Sequence, residues 1–283
     1  MVIFVAWHLT TVVSQMILEQ FDGFLKTAPL WENSQFGIRQ FKFPECRLND
    51  FEASPIPKKL RLGHQMEAIF KQLIVFSKQY QIVLHNLAVR KENITLGEID
   101  FILKEITTSQ IVHVELTYKF YIIDTSISEP IHRLIGPNRR DMFFTKMEKI
   151  KNQQFPLLHS PEGAKALLEN GLEHQNIEHQ CCFKAQLFIP FNSPYVPIHP
   201  LNKDCVQGFW LRFDDFNAAE FQSYQYYIPH KKEWVINPHG NVDWQSHYEI
   251  VLDLNLRMLE QNAPMVWMRK SHSKFKKFFV VWW

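Results

Sequence analysis

Residues 111–122, IVHVELTYKFYI, constrain the fold of this chain more than any other stretch. Successive side chains on a strand point to opposite faces. Val112, Val114, Leu116, Tyr118, Phe120 and Ile122 therefore share one face, and His113, Glu115, Thr117 and Lys119 share the other. The apolar face requires a covering layer, while the second face places a carboxylate and an amine in a run that otherwise reads as a buried strand. Two strand-like runs precede it, YQIVLHNLAV over 80–89 and a second over 95–105, joined by the polar link KEN and followed by the turn TTSQ. The second run contains GEIDFILKE, residues 97–105, with Glu98 and Asp100 on a common face. If the second and third strands are hairpin neighbours, Asp100 and Glu115 lie side by side.

Helical spacing punctuates the rest. In PKKLRLGHQMEAIFKQLIVF the residues Leu62, Met66, Ile69, Phe70, Leu73 and Ile74 predict a helix, with Glu67 at the edge of its buried face. A helix is also predicted over 8–26, followed by an irregular connection over 29–57. NRRDMFFTKMEKIKNQ predicts a helix with Asn138 as N-cap and Asp141 in the first turn. Ser160-Pro161 opens another helix, with Gly171 closing it. Strands are predicted at FKAQLFIP, GFWLRFDDF, the hairpin-like YQYYIPHKKEWVIN and the closing KFKKFFVVWW, with a helix at WQSHYEIVLDLNLRMLEQ. The Pro-rich NSPYVPIHP marks a boundary, dividing the chain into an N-terminal helical and irregular segment (1–56), a core (57–190) and an α+β extension packed on it (191–283).

With 283 residues and 46% hydrophobic content, a large core is available. Lys and Arg number 31 against 29 Asp and Glu, so a basic nucleic-acid coat is excluded and any polyanion contact must come from local patches. One such patch is Asn138, Arg139, Arg140 and Lys146, which reads equally as a contact to a DNA or RNA backbone or as a solvated helix face. The four cysteines include no C-x-x-C, which points to buried thiols in a reducing compartment. A metal site from His174, His179, Cys181 and Cys182 matches no usual zinc spacing. The N-terminus lacks a basic n-region and a cleavage signal and is too polar and short to span a bilayer, so a soluble, cytoplasmic chain without membrane attachment is expected. Walker A, G-x-S-x-G and dinucleotide-binding signatures do not occur.

Clustered carboxylates repel unless a cation neutralises them, and oxygen-only ligands suit Mg²⁺ or Mn²⁺. The helix bearing Glu67, then GEID, then a strand with an E-x-K-like signature resemble the core of the PD-(D/E)XK nuclease superfamily. More closely, LGHQMEAIF, GEIDFILKE, HVELTYKFYI, GPNRRDMFFTKMEKIKNQQFPL and FFVVWW are similar to a bacterial family of unknown function, from about residue 20 onward. The superfamily resemblance implies an α/β fold with an αβββαβ core around a mixed sheet, extended here by an α+β C-terminal part. It also implies a Mg²⁺- or Mn²⁺-dependent phosphodiester hydrolase in which Asp100 and Glu115 are the two carboxylates and Glu67 the helix acid. Thr117 stands where the pattern has lysine; Lys119 lies one pleat further on the same face, roughly 7 Å along an extended strand, and would serve as a migrated lysine. The alternative is a catalytically inactive module on the same fold that binds nucleic acid or a protein partner.

Overall fold

The computed structural model describes residues 16–283 apart from 58, 174 and 194. Of the helix expected over 8–26, residues 16–26 (α1) are helical, and 8–15 lie outside the described residues, as does His174. A two-strand ribbon follows, β1 (Ser34–Gln35) and β2 (Ile38–Arg39), then helix α2 (Leu62–Ser77). Strands β3 (Tyr80–Lys91), β4 (Ile94–Glu105) and β5 (Ile111–Ile123) form an antiparallel meander where the alternating patterns place them. After the short β6 (Leu134–Ile135) comes a nearly continuous helical run. It comprises α3 (Phe143–Lys149), a π-helical turn (Ile150–Gln154), α4 (Phe155–His159) and α5 (Pro161–Glu169). Strand β7 (Glu178–Pro190) then returns parallel to β5. The remaining elements are β8 (Val206–Arg212), α6 (Phe213–Phe216), β9 (Gln225–Tyr227), β10 (Gln245–Ser246), α7 (His247–Leu259), β11 (Met265–Ser271) and β12 (Lys274–Val281).

The fold is mixed α/β. Ten strands make one mixed sheet in the order β10-β9-β11-β12-β8-β7-β5-β4-β3, with β6 added on β5. The parallel run β5-β7-β8-β12 forms its centre; the helices of its crossovers, α3–α5 and α7, pack on one face, and α1 and α2 from before the meander cover the other. Phe21 and Phe24 of α1 and Met66, Ile69 and Phe70 of α2 pack on the face carrying Val112, Val114 and Leu116. Phe143, Met147 and Ile150 cover Tyr121 and Phe183 on the opposite face, and Ile250 and Leu254 of α7 cover Val266 and Phe278. Strands on both sides of residue 191 belong to this one sheet, so the C-terminal part continues it edge to edge.

Several local expectations change. The helix expected from Asn138 begins at Phe143, because Gly136 N–H donates to Asp141 O (2.7 Å) and Arg139 takes a positive φ of 55°, closing a turn first. Asn138 caps nothing there; its Oδ1 accepts from the Ala263 N–H at 2.7 Å. The FDDF tail of the predicted strand is helical, and YQYYIPHKKEWVIN makes only β9, which pairs with distant β11, since Pro229 and a 3₁₀ turn at Lys231–Glu233 interrupt a hairpin. Strand β11 itself lacks the period-2 signature because most of it is buried on both faces. Ser160 does cap α5, accepting from the Gly163 N–H at 3.0 Å. All four cysteines are free thiols, and among the described residues no helix is long and apolar enough to cross a membrane.

Candidate active site

β4 stays paired with β5 only from Phe101↔Val114 to Lys104↔Ile111, and β6 joins β5 at Ile122↔Ile135. Between those points β5 is bonded to β7 alone, so the sheet has an opening along one edge of β5. A cleft of about 470 Å³ occupies it, with Thr117, Lys119, Arg140, Asp141, Lys146 and Trp234 among its walls. Asp100 and Glu115 stand where β4 and β5 part, one position beyond the last paired residues. Gly97, in the same GEID stretch, lets α4 come close: a Cβ there would lie 2.7 Å from Leu157 Cδ2.

The two carboxylates are brought together. Glu115 is fully buried, at 0% exposure. Its Oε1 is 2.9 Å from His113 Nε2 and its Oε2 accepts from the Gln154 amide. Asp100 Oδ2 accepts from the Leu116 N–H at 2.9 Å, a donor freed by the departure of β4. Burial pushes both acids above the usual carboxylate range. The field of Glu115, then that of Glu67, adds to the effect at Asp100, while Lys146 opposes it at both.

The amine that faces this pair is Lys146, from α3, and not Lys119. Burial depresses Lys146, while Cys181, Glu115 and Asp100 hold its charge up; its Nζ donates to Gln154 Oε1 at 3.0 Å. Gln154 thus joins Lys146 to Glu115, and it sits at the end of the π-helical turn, a device often found at functional sites. Lys119 is drawn instead into an ion pair with Asp141 at the cleft wall. Thr117, at the position two residues after Glu115, is 3% exposed, and its hydroxyl has no hydrogen-bond partner among the described residues.

Glu67 lies across the sheet on α2, bonded to His64 (3.1 Å) and Asn86 (3.4 Å); it reaches Asp100 through its field. Among the described residues no three His, Cys, Asp or Glu side chains are gathered as a metal-ligand group. Glu98 is exposed. Arg140 lines the cleft, but Arg139 turns away to Asp124 (3.0 Å) and stacks on Trp283, 3.9 Å from the ring centroid.

A histidine chain leads outward from Glu115. His113 Nδ1 is 2.8 Å from His179 Nδ1, and His179 Nε2 is 2.7 Å from the exposed His159. With Glu115 accepting, His113 carries its proton on Nε2, so His179 donates to His113 and His159 to His179. Burial holds His113 and His179 down, to about 3 and about 4, so neutral rings fit the chain. In the sequence two of its members stand out, His113 on the polar face of β5 and His179 beside Cys181 and Cys182, and neither spacing points to the other.

Residues 37–281, which carry every strand of the large sheet, match the model of a single protein family. The chain belongs to that family, Domain of unknown function (DUF1853). No curated protein and no solved structure matches the chain significantly. The family match takes in Glu67, Asp100, Glu115, Lys146 and Gln154 alike, and it carries no activity with it.

Proposed function

We propose that this DUF1853 chain is a Mg²⁺- or Mn²⁺-dependent phosphodiester hydrolase of PD-(D/E)XK type. The observation that carries the reading is two adjoining carboxylates, Asp100 half-buried and Glu115 fully buried, with Gln154 joining Glu115 to Lys146 on the wall of a basic cleft. The donor set fits a divalent cation: two carboxylates, oxygen-only, with mutual repulsion that a cation would relieve. Asp100 and Glu115 would hold it, and the chemistry supplied is polarisation of a phosphate and a more acidic bound water.

The chain's own groups do the rest. Gln154 and His113 hold the Glu115 carboxylate in one orientation. Lys146, tied to Gln154, takes the role the superfamily pattern gives to a lysine on the strand and offsets charge developing on phosphate. The superfamily reading also accords with the order of α2, the β3-β4-β5 meander, the helices and parallel β7.

Cleavage of labelled single- and double-stranded DNA and RNA, with Mn²⁺ or with EDTA, tests the proposal. Metal-dependent cutting that disappears in Asp100→Ala is the expected result. A second reading, a module that binds without cutting, is favoured by one feature: both Glu115 oxygens are already engaged by protein. Strand binding without cutting, and no Mn²⁺ uptake by calorimetry, would select it.

A further inference from the structure

The cleft beside the carboxylates continues past its wall. A second hollow of about 220 Å³ adjoins it, and the two share Asn138, Lys231 and Trp234. His230 and Arg257 line the far side. Trp234 thus stands as a post between two hollows. Its ring meets Phe120 (5.4 Å, 81°) and Phe279 (5.1 Å, 79°) edge to face, and its indole N–H donates to Pro229 O at 3.3 Å. The Lys231 amine hovers 5.5 Å from the ring centroid. In the first hollow four cations, Lys119, Arg140, Lys146 and Lys231, face one carboxylate, Asp141.

We infer that the two hollows form one groove for single-stranded nucleic acid, with Trp234 stacking on a base and Lys231 passing from the ring to a backbone phosphate. This rests on the phosphodiester reading of the neighbouring carboxylates. Excess positive charge along a groove, interrupted by an aromatic platform, is the physical requirement for binding a strand without reading its sequence. The hollows measure only about 470 and 220 Å³, and a duplex keeps its base faces stacked on one another. Only an unpaired base can offer a face to Trp234. Both residues come from the segment after β9, so the C-terminal part of the chain supplies half of the groove.

The test reads binding, not chemistry. Fluorescence anisotropy in EDTA compares labelled oligothymidine and oligouridine of about twenty nucleotides with a hairpin duplex across a salt series. Both single strands should bind more tightly than the duplex. Trp234→Ala should weaken single-strand binding roughly tenfold or more with the salt slope unchanged. Trp234→Phe, which keeps a stacking ring and guards against a folding defect, should retain most of the affinity. Lys231→Ala, at an exposed side chain, should reduce the slope of log affinity against log salt by about 0.7. Binding of only one of the two single strands would narrow the ligand to DNA or RNA and still support the groove. Duplex bound as tightly as single strands, no strand bound at all, or indifference to Trp234→Ala would overturn it. Trp234-dependent binding without metal-dependent cutting would keep the groove and reject the hydrolase; cutting indifferent to both residues would do the reverse.

Discussion

Two strands of the sheet bury an ionisable side chain, and they treat it oppositely. β5 buries Glu115 among His113, Gln154, Asp100 and Lys146, so every part of the carboxylate has a polar neighbour. β12 buries Lys277 at 3% exposure opposite Trp267, and neither the amine nor the Trp267 indole N–H has a hydrogen-bond partner among the described residues. Burial alone brings Lys277 down to about 7. Desolvating a charge is costly in either place. At Glu115 the cost is met by a network that runs through Gln154 to Lys146 on the cleft wall. At Lys277 it is simply borne by the fold. A third residue lies between these extremes: buried Lys184 donates to Thr27 O and sits over the Phe24 and Phe43 rings.

The largest effect should separate the two lysines nearest the carboxylates. Lys146→Ala is expected to reduce metal-dependent cutting about a hundredfold or more, and Lys119→Ala less than about fivefold, in steady-state cleavage assays. The reverse order would return the role to the strand lysine. Next come the buried amines. Lys277→Met should stabilise the protein by about 2–4 kcal/mol at pH 7, and Lys184→Met should destabilise it by about 1–2 kcal/mol, as read from urea unfolding. Equal signs would show that the partners of Lys184 contribute nothing.

Stability against pH should carry both signatures with opposite signs. Lys277 has its folded value lowered from 10.5 to about 7, so the unfolded chain binds more protons across that window. Its contribution therefore rises with pH from about 7 to 10.5, and that rise should vanish in Lys277→Met. Asp100 and Glu115 have raised folded values, so the folded chain holds more protons between the ordinary carboxylate range and neutral pH. Their contribution should fall by about 1–3 kcal/mol as pH rises through that window. Asp100→Asn or saturating Mn²⁺ should flatten the fall, and a flat wild-type profile would refute the coupled pair. The smallest effect belongs to the partly exposed Lys119–Asp141 pair, whose double-mutant cycle should give less than about 1 kcal/mol.

The β3-β4-β5 meander was legible because a half-polar strand writes its period into the sequence, and KEN and TTSQ mark its turns. The pairing of Asp100 with Glu115 was legible for the same reason. The course of residues 136–143 was not, because the turn there depends on a bond from Gly136 to Asp141 and on Ala263, far along the chain, claiming Asn138. The histidine chain escaped notice because its members come from β5, β7 and α4. Trp234 and Lys231 carry no sequence signal of their own, because the cleft they line is assembled from β5, the turn after β6 and the segment after β9.

Local patterning by itself determined the α2 helix, the three strands and a carboxylate on each of two neighbours, since side-chain alternation and turn chemistry act over a few residues. Tertiary structure alone decided which lysine meets those carboxylates. Lys119 lies on the correct face but four residues along β5 from Glu115, where Asp141 offers a nearer charge. Lys146 arrives from a helix that runs into the π turn delivering Gln154, because packing on the sheet, and not spacing in the chain, sets which groups meet.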